Sequence, residues 1–301
     1  MVEIIGQNGA LEVLSSTLRS KRLSGAYLFV GPPGVGKFTT ARLIAAALLC
    51  RSGKFPPCGE CISCRKVEHL NHPDVIYLEP RGAEIRIDDV RETNRLLLLK
   101  PFESDYKVAI VDSAEKFRRE AANAMLKTLE EPPTNTVIIL VAASTAALLP
   151  TIVSRSQIIR FNALDDETLA AWLKKKRNLT EDDARFLAKL ASGSPGKADA
   201  MIRNRKLEDL KEQVEKLLNG LLGGTKSRLE LAKDISGKRD ELAENIEFIL
   251  MLCNMKLNES QTDGERDIWR KRTEIVLSTE RKLRFNPALQ LAAEAMLLQM
   301  P

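Results

Sequence analysis

Short apolar runs alternate with amphipathic stretches through the first half of the chain, and then the runs stop. Ala26–Val30 (AYLFV), Val75–Leu78 (VIYL), Val108–Val111 (VAIV), Val137–Val141 (VIILV) and Ile158–Phe161 (IIRF) are rich in β-branched and aromatic residues. They lack polar alternation, as strands covered on both faces do. Lys37–Leu49, Asp88–Leu98, Ala121–Glu130 and a short stretch near Thr145–Val153 carry apolar residues at helical spacing. Strand, crossover helix, strand predicts an α/β nucleotide-fold domain with a parallel five-stranded sheet over residues 1–163.

Beyond Phe161 the strand pattern disappears. Asp165–Lys176 and Glu181–Ala191 predict two short helices, followed by the turn Gly193-Ser-Pro-Gly196 and another helix. Residues 164–205 therefore read as a small helical domain closing near Arg205. Leu207, Leu210, Val214, Leu217, Leu218 and Leu221 then recur at helical spacing, as do Leu242, Ile246, Ile249, Leu250, Cys253 and Leu257. Gly223-Gly224 and Asp263-Gly264 mark breaks, and Asn286-Pro287 opens a last helix with proline in its first turn. Residues 206–301 are expected to form an all-helical bundle, with Cys253 in its core.

Composition adds limits. A chain of 301 residues, 44% apolar and 29% charged, is long enough for two or three domains and carries little pressure toward disorder. The opening MVEIIGQNGALEVLSS lacks the basic flank and apolar stretch of a secretory signal, and the longest apolar run, Leu43–Cys50, is too short to span a bilayer. A cytoplasmic protein with no membrane partner is expected. A net charge of +5 permits contact with nucleic acid without requiring it, and aromatic residues, at 5%, offer few stacking platforms.

Four of the five cysteines fall within fifteen residues, as Cys50, Cys58, Cys61 and Cys64. The spacing C-x7-C-x2-C-x2-C, with turns at Pro56-Pro57, Gly59 and Ser63, lets four thiolates converge. That pattern predicts a closed tetrahedral structural Zn²⁺ site in a module spanning about 50–70. His69 and His72 lie close enough in sequence to compete as ligands, but four cysteines already complete the set.

Gly31-Pro-Pro-Gly-Val-Gly-Lys37-Phe-Thr-Thr40 sits between a predicted strand and a predicted helix. In that context Gly31, Gly34, Val35 and Gly36 would turn backbone N–H groups around phosphates, and Lys37 would supply a charge on the outer ones. The pattern asks for Ser or Thr after the lysine to hold Mg²⁺, and this chain has Phe38. Thr39 is rotated by roughly 100° on the helix and does not substitute. Asp112, at the tip of the third strand, would organise a metal, whereas Ser113 next to it cannot act as an efficient base for water. Two readings stay open: a site that binds ATP with Mg²⁺ and turns it over poorly, and a loop kept for its shape alone.

Taken together these segments resemble the clamp-loader branch of the AAA+ ATPases, and within it the delta-prime group of bacterial DNA polymerase III. After the P-loop and the four-cysteine insert come His72-Pro-Asp-Val-Ile-Tyr-Leu-Glu-Pro80, Ile87-Asp-Asp-Val-Arg91, Ala121-Ala-Asn-Ala-Met-Leu-Lys-Thr-Leu-Glu-Glu-Pro-Pro133 and Ser154-Arg155-Ser156. The resemblance covers nearly the whole chain. It implies a AAA+ domain (1–163), a lid (164–205) and a collar (206–301). It also implies gamma/tau and delta subunits as partners and, through them, work on a sliding clamp and primed DNA. Arg155 takes the place of an arginine finger acting on a neighbour's ATP. Ser144-Thr145 falls in the sensor-1 region. Gly193-Ser-Pro-Gly-Lys-Ala198 matches the second-sensor segment without its arginine, leaving only Lys197 nearby. Two rivals remain: an active gamma/tau-type motor, and a zinc-stabilised nucleic-acid-binding module using the basic run Lys174-Lys-Lys-Arg177.

Overall fold

The computed structural model describes residues 3–20, 23–203, 206–283 and 287–301. The expected domain boundary at Arg205 and Asn286 of the expected helix opening lie outside the described residues; the last helix begins at Leu289, so Pro287 precedes its first turn instead of lying in it. The chain divides into two compact units, Met1–Ala163 and Leu164–Pro301.

The first unit holds five parallel strands, β1 (Ala26–Val30), β2 (Val75–Leu78), β3 (Lys107–Val111), β4 (Thr136–Ala142) and β5 (Gln157–Arg160), in the order β2-β3-β4-β1-β5. Alternate residues of the same strands feed opposite faces. Tyr27, Phe29, Val108, Ile110, Ile139 and Val141 pack with α1 (Asn8–Ser20), α2 (Lys37–Leu49) and α3 (Ile62–Glu68). Leu28, Val30, Ala109, Val111, Ile138 and Leu140 pack with α4 (Ile87–Leu98), α5 (Arg119–Glu130) and α6 (Pro150–Val153). Both faces are apolar because both are covered, which is why the strands read as unbroken runs.

Two helices of this unit go beyond the sequence pattern. The first, α1, is amphipathic, with Ala10 and Leu14 buried, and α3 lies among the cysteines, where only turns were expected. A third difference is small: Thr145–Ala147 is one 3₁₀ turn and Pro150–Val153 a separate short helix, broken where Pro150 begins the second.

Register sets the two edges of the sheet. Val30 pairs with Ala142 and Arg160, and Val111 with Leu140. Gly31, Asp112 and Ala143 therefore emerge together at the carboxyl edge, where ligands bind in open α/β sheets. The segments before each strand gather at the opposite, amino edge.

At that amino edge Asp74, fully buried, accepts hydrogen bonds from the backbone N–H groups of Phe102 (2.5 Å), Glu103 (2.9 Å) and Ser104 (3.1 Å), and from the Ser104 hydroxyl (2.7 Å). Burial alone would raise its pKa, but these four donors outweigh it and hold the carboxyl below the usual range. His72 is also buried, is kept neutral chiefly by desolvation, and accepts the Asp74 N–H at Nδ1 (3.1 Å). Asp74→Ala would leave the loop donors unpaired and is expected to cost about 3 kcal/mol in urea unfolding. Because the folded pKa is depressed, this stability is fully present above the unfolded value of about 3.9 and is lost as pH falls through the lower folded one. The wild type should accordingly weaken at the acid end relative to Asp74→Asn.

The second unit is helical throughout its described residues: α7 (Asp166–Arg177), α8 (Glu181–Leu190), α9 (Pro195–Arg203), α10 (Leu207–Leu222), α11 (Thr225–Ile235), α12 (Arg239–Glu259), α13 (Asp263–Leu283) and α14 (Leu289–Leu298). Asp165 caps α7 through the Thr168 N–H (2.7 Å), and Thr180 caps α8 through the Asp183 N–H (3.3 Å). Asn178, at positive φ, ends α7. The expected turn at 193–196 is shorter, since Pro195 already begins α9, and Gly264 lies inside the first turn of α13. Leu242, Ile246, Ile249 and Cys253 are buried along α12, and burial pushes the Cys253 thiol up to about 12. No helix among the described residues is long and apolar enough to cross a membrane.

Candidate functional site

The loop between β1 and α2 starts where β5 ends. A Cβ on Gly31 would lie 2.2 Å from the Phe161 carbonyl oxygen, so only glycine allows this approach. Gly34 (φ 75°) and Gly36 (φ 102°) take left-handed conformations that L side chains rarely adopt. Val35 is buried beneath the loop. Lys37 folds back over it, its Nζ donating to the Gly31 (2.6 Å) and Pro32 (2.7 Å) carbonyls. Desolvation lowers the lysine's pKa, and the carboxylates of Glu115 and Asp112, in that order, act against it. Glu115, in the 3₁₀ turn Ala114–Lys116 after β3, thus adds negative charge beside the loop. Its Oε2 also accepts the Ala143 N–H (3.4 Å) at the end of β4.

Phe38 and Thr39 point to different neighbours. The Phe38 ring packs against Tyr77, with centroids 6.3 Å apart and planes inclined by 51°, and joins the core beneath α2. Thr39 lines a small cavity with Arg42, Leu43, Ala46, Cys64 and Val67, under the cysteine module. Neither supplies an oxygen in place of the missing Ser or Thr. Ser113 adopts a left-handed conformation, its N–H donating to Asp112 Oδ1 (2.9 Å). Ser144, two residues beyond the end of β4, makes no side-chain cap to the following turn. In the second unit Lys197 lies on α9, and its Nζ is 3.9 Å from Glu247.

The four cysteines converge. Their Sγ atoms all lie within 4.8 Å of one another. Cys50–Cys58 are 3.5 Å apart, and Cys50–Cys61 and Cys58–Cys64 are each 3.9 Å. Thiolates at about 2.3 Å from a tetrahedral metal would be separated by about 3.8 Å, and a disulfide would need about 2.0 Å. The donor set fits a four-coordinate metal. Helix α3 explains the spacing: Cys61 is its N-cap, and Cys64, three residues on, turns its N–H to Cys61 Sγ (3.5 Å). Around Cys50, burial opposes ionisation, but hydrogen bonds from Ser52 and Cys58 prevail and bring the thiol down to about 6. Burial drives Cys64 the other way. A divalent cation at the centre would reverse that, since a coordinated thiol is deprotonated. The exposed His69 and the buried His72 stand outside the cluster.

Arg155 follows α6 at the amino edge of the sheet. The register places Gln157 level with Tyr27, four residues before the phosphate loop, a separation of about 13 Å along the strand. Ser154-Arg155-Ser156 lies below that level, so Arg155 cannot serve its own chain's loop. Its Nε donates to Glu130 Oε2 and its Nη1 to the Thr151 carbonyl, both at 3.2 Å. Glu130 was part of a recognisable segment in the sequence, yet nothing there marked it as this partner.

Sheet order, the glycine loop at the end of β1 and the aspartate two strands away at the end of β3 define a P-loop fold of the AAA+ type. The family described as "DNA polymerase III, delta subunit" matches residues 6–165, more than half of the chain. The chain belongs to that family. It is similar to the DNA polymerase III subunit delta' of Bacillus subtilis, 31% identical over 211 residues, covering 70% of this chain and 64% of that protein. It is also similar to the tau/gamma subunit of Haemophilus influenzae, 35% identical over 198 residues, covering 64% of this chain and 29% of that protein. The chain thus spans less than two thirds of the length of these relatives. A crystal structure of a DNA polymerase III gamma subunit-related protein from Thermotoga maritima shares the fold, with TM-score 0.52 and 23% identity, over 95% of this chain and 97% of that one.

Proposed function

We propose that the chain acts as a delta-prime-type subunit of a bacterial clamp loader, assembling with gamma/tau and delta subunits to place a sliding clamp on primed DNA. In this role it supplies architecture and one arginine in trans, and its own nucleotide site is worn. The observation that carries the reading is the separation of the two features on the sheet. The phosphate loop, with Phe38 committed to Tyr77, stands at the carboxyl edge, and Arg155 stands at the amino edge, out of reach of that loop. Residues 164–205 serve as the lid and 206–301 as the collar that joins the other subunits. The four cysteines hold a structural Zn²⁺, because the ligand set is all sulfur and leaves no open position.

ATP with Mg²⁺ can still meet the glycine loop and Lys37, but Phe38 and Ser113 remove the metal ligand and the water-activating acid. This disfavours the gamma/tau-type motor. The nucleic-acid module is disfavoured by the commitments of the basic run. Lys174 pairs with Glu181 (2.6 Å), Lys176 lies over the Trp172 ring (4.5 Å) and Arg177 binds Asp199. Titrating the isolated chain with MgATP should give weak or no binding and no release of phosphate above background. Phe38→Thr alone should not restore release, because Ser113 remains. Tight binding with turnover by the wild type would overturn the worn-site reading.

A further inference from the structure

We propose that Glu130 is a positioning residue for Arg155, holding the guanidinium in the orientation that a neighbour's phosphoryl group requires. The inference rests on the reading of Arg155 as trans-acting. An arginine on a surface turn samples many rotamers, and catalysis by a remote group depends on its placement. Arg155 is held at two points: Glu130 Oε2 takes Nε–H, and the Thr151 carbonyl takes one Nη1–H. No partner for Nη2 is found among the described residues. Three N–H groups are left over, enough for the planar fork that matches phosphoryl oxygens.

Glu130 is itself fixed. It closes α5 just after the buried Leu129, and the Glu131 N–H still bonds back to Lys127. The turn beyond is seated on the start of β1, where a Cβ on Gly25 would lie 2.4 Å from the Pro132 ring. The carboxylate therefore sits on a rigid element beside the turn that carries Arg155. Both partners are solvent-accessible, with side chains 33% (Arg155) and 59% (Glu130) exposed, and exposed ion pairs contribute little to stability. Folding stability does not account for the pair; orientation does.

In the reconstituted complex, Glu130→Ala is expected to lower kcat for ATP at the neighbouring site by on the order of tenfold. KM for ATP and the chain's Tm should stay unchanged, because only the transition state meets the finger. Glu130→Gln keeps an oxygen acceptor at the same reach and should recover most of the loss. Wild-type turnover by Glu130→Ala, in a complex where Arg155→Ala is impaired, overturns the inference and spares the trans reading. A loss that appears only together with a lowered Tm also overturns it. Unimpaired turnover by Arg155→Ala overturns both.

Discussion

Arg155→Ala in the reconstituted complex is expected to reduce ATP turnover at the adjoining subunit's site by about 10³-fold, the lower end of what an arginine finger supplies. The fall should lie in kcat, because a guanidinium that meets charge developing on the γ-phosphoryl group stabilises the transition state above the ground state. Arg155→Lys should recover little. An ammonium is a point charge without the planar fork, and its stem cannot make the Nε contact to Glu130. The substitution should not disturb the fold: Arg155 is one-third exposed and its contacts are one carboxylate and one carbonyl. Unchanged Tm beside lost turnover would separate this effect from unfolding. The measurement is steady-state phosphate release with clamp and primed DNA present, with any sites that do not border this chain inactivated so that their own activity does not mask the loss.

Removing the metal is expected to produce the largest loss of structure. Chelation, or Cys64→Ser, should release one Zn²⁺ per chain and unfold the segment from Cys50 to about residue 70. A structural zinc site contributes folding energy outright, because without the metal nothing bonds the four sulfurs to one another and any thiolates among them repel. Helix α3 is only seven residues long, too short to persist alone, and two of its four sulfur anchors are its N-cap Cys61 and its buried Cys64. The rest of the sheet domain keeps its own core, so the expected cost is about 4 kcal/mol, roughly 10 °C in Tm for a domain of this size. Acid should act in the same direction. Protons compete with the metal for all four sulfurs, so affinity falls as pH is lowered. Metal content by elemental analysis, followed with Tm across a pH series, checks both statements. A chain that retains its Tm without bound metal would sink the structural role.

Much of the fold was legible in the chain because the parallel sheet leaves its mark directly. Strands covered on both faces become apolar runs, and β1 and β2 coincide with the expected ranges to the residue. Helix α2 does too, bounded by the glycines before it and Cys50 after it. What escaped notice had weaker local signals. Helix α1 has one apolar face and no acidic residue in its first turn to mark its start. Helix α3 carries Cys and Ser at positions that suggest turns, and Cys61 acts as its cap through sulfur. The buried Asp74 was visible only as one letter of a recurrent segment. Its four donors come from residues 102–104, about thirty positions away.

The chain by itself determined the chemistry on offer: a glycine loop with Lys37, the departures at Phe38 and Ser113, four sulfurs at ligand spacing, and an arginine between two serines. These are local identities, and spacing of a few residues is enough to read them. Only the tertiary structure decided where each one acts. Strand register put Arg155 at the far edge from its own phosphate loop, and the close of α5 brought Glu130 against it. It also turned Phe38 onto Tyr77 and set Glu115 beside Lys37. Those pairings join residues 25 to 78 positions apart. They arise from how helices seat on a twisted sheet, a matter of packing that no window of sequence contains.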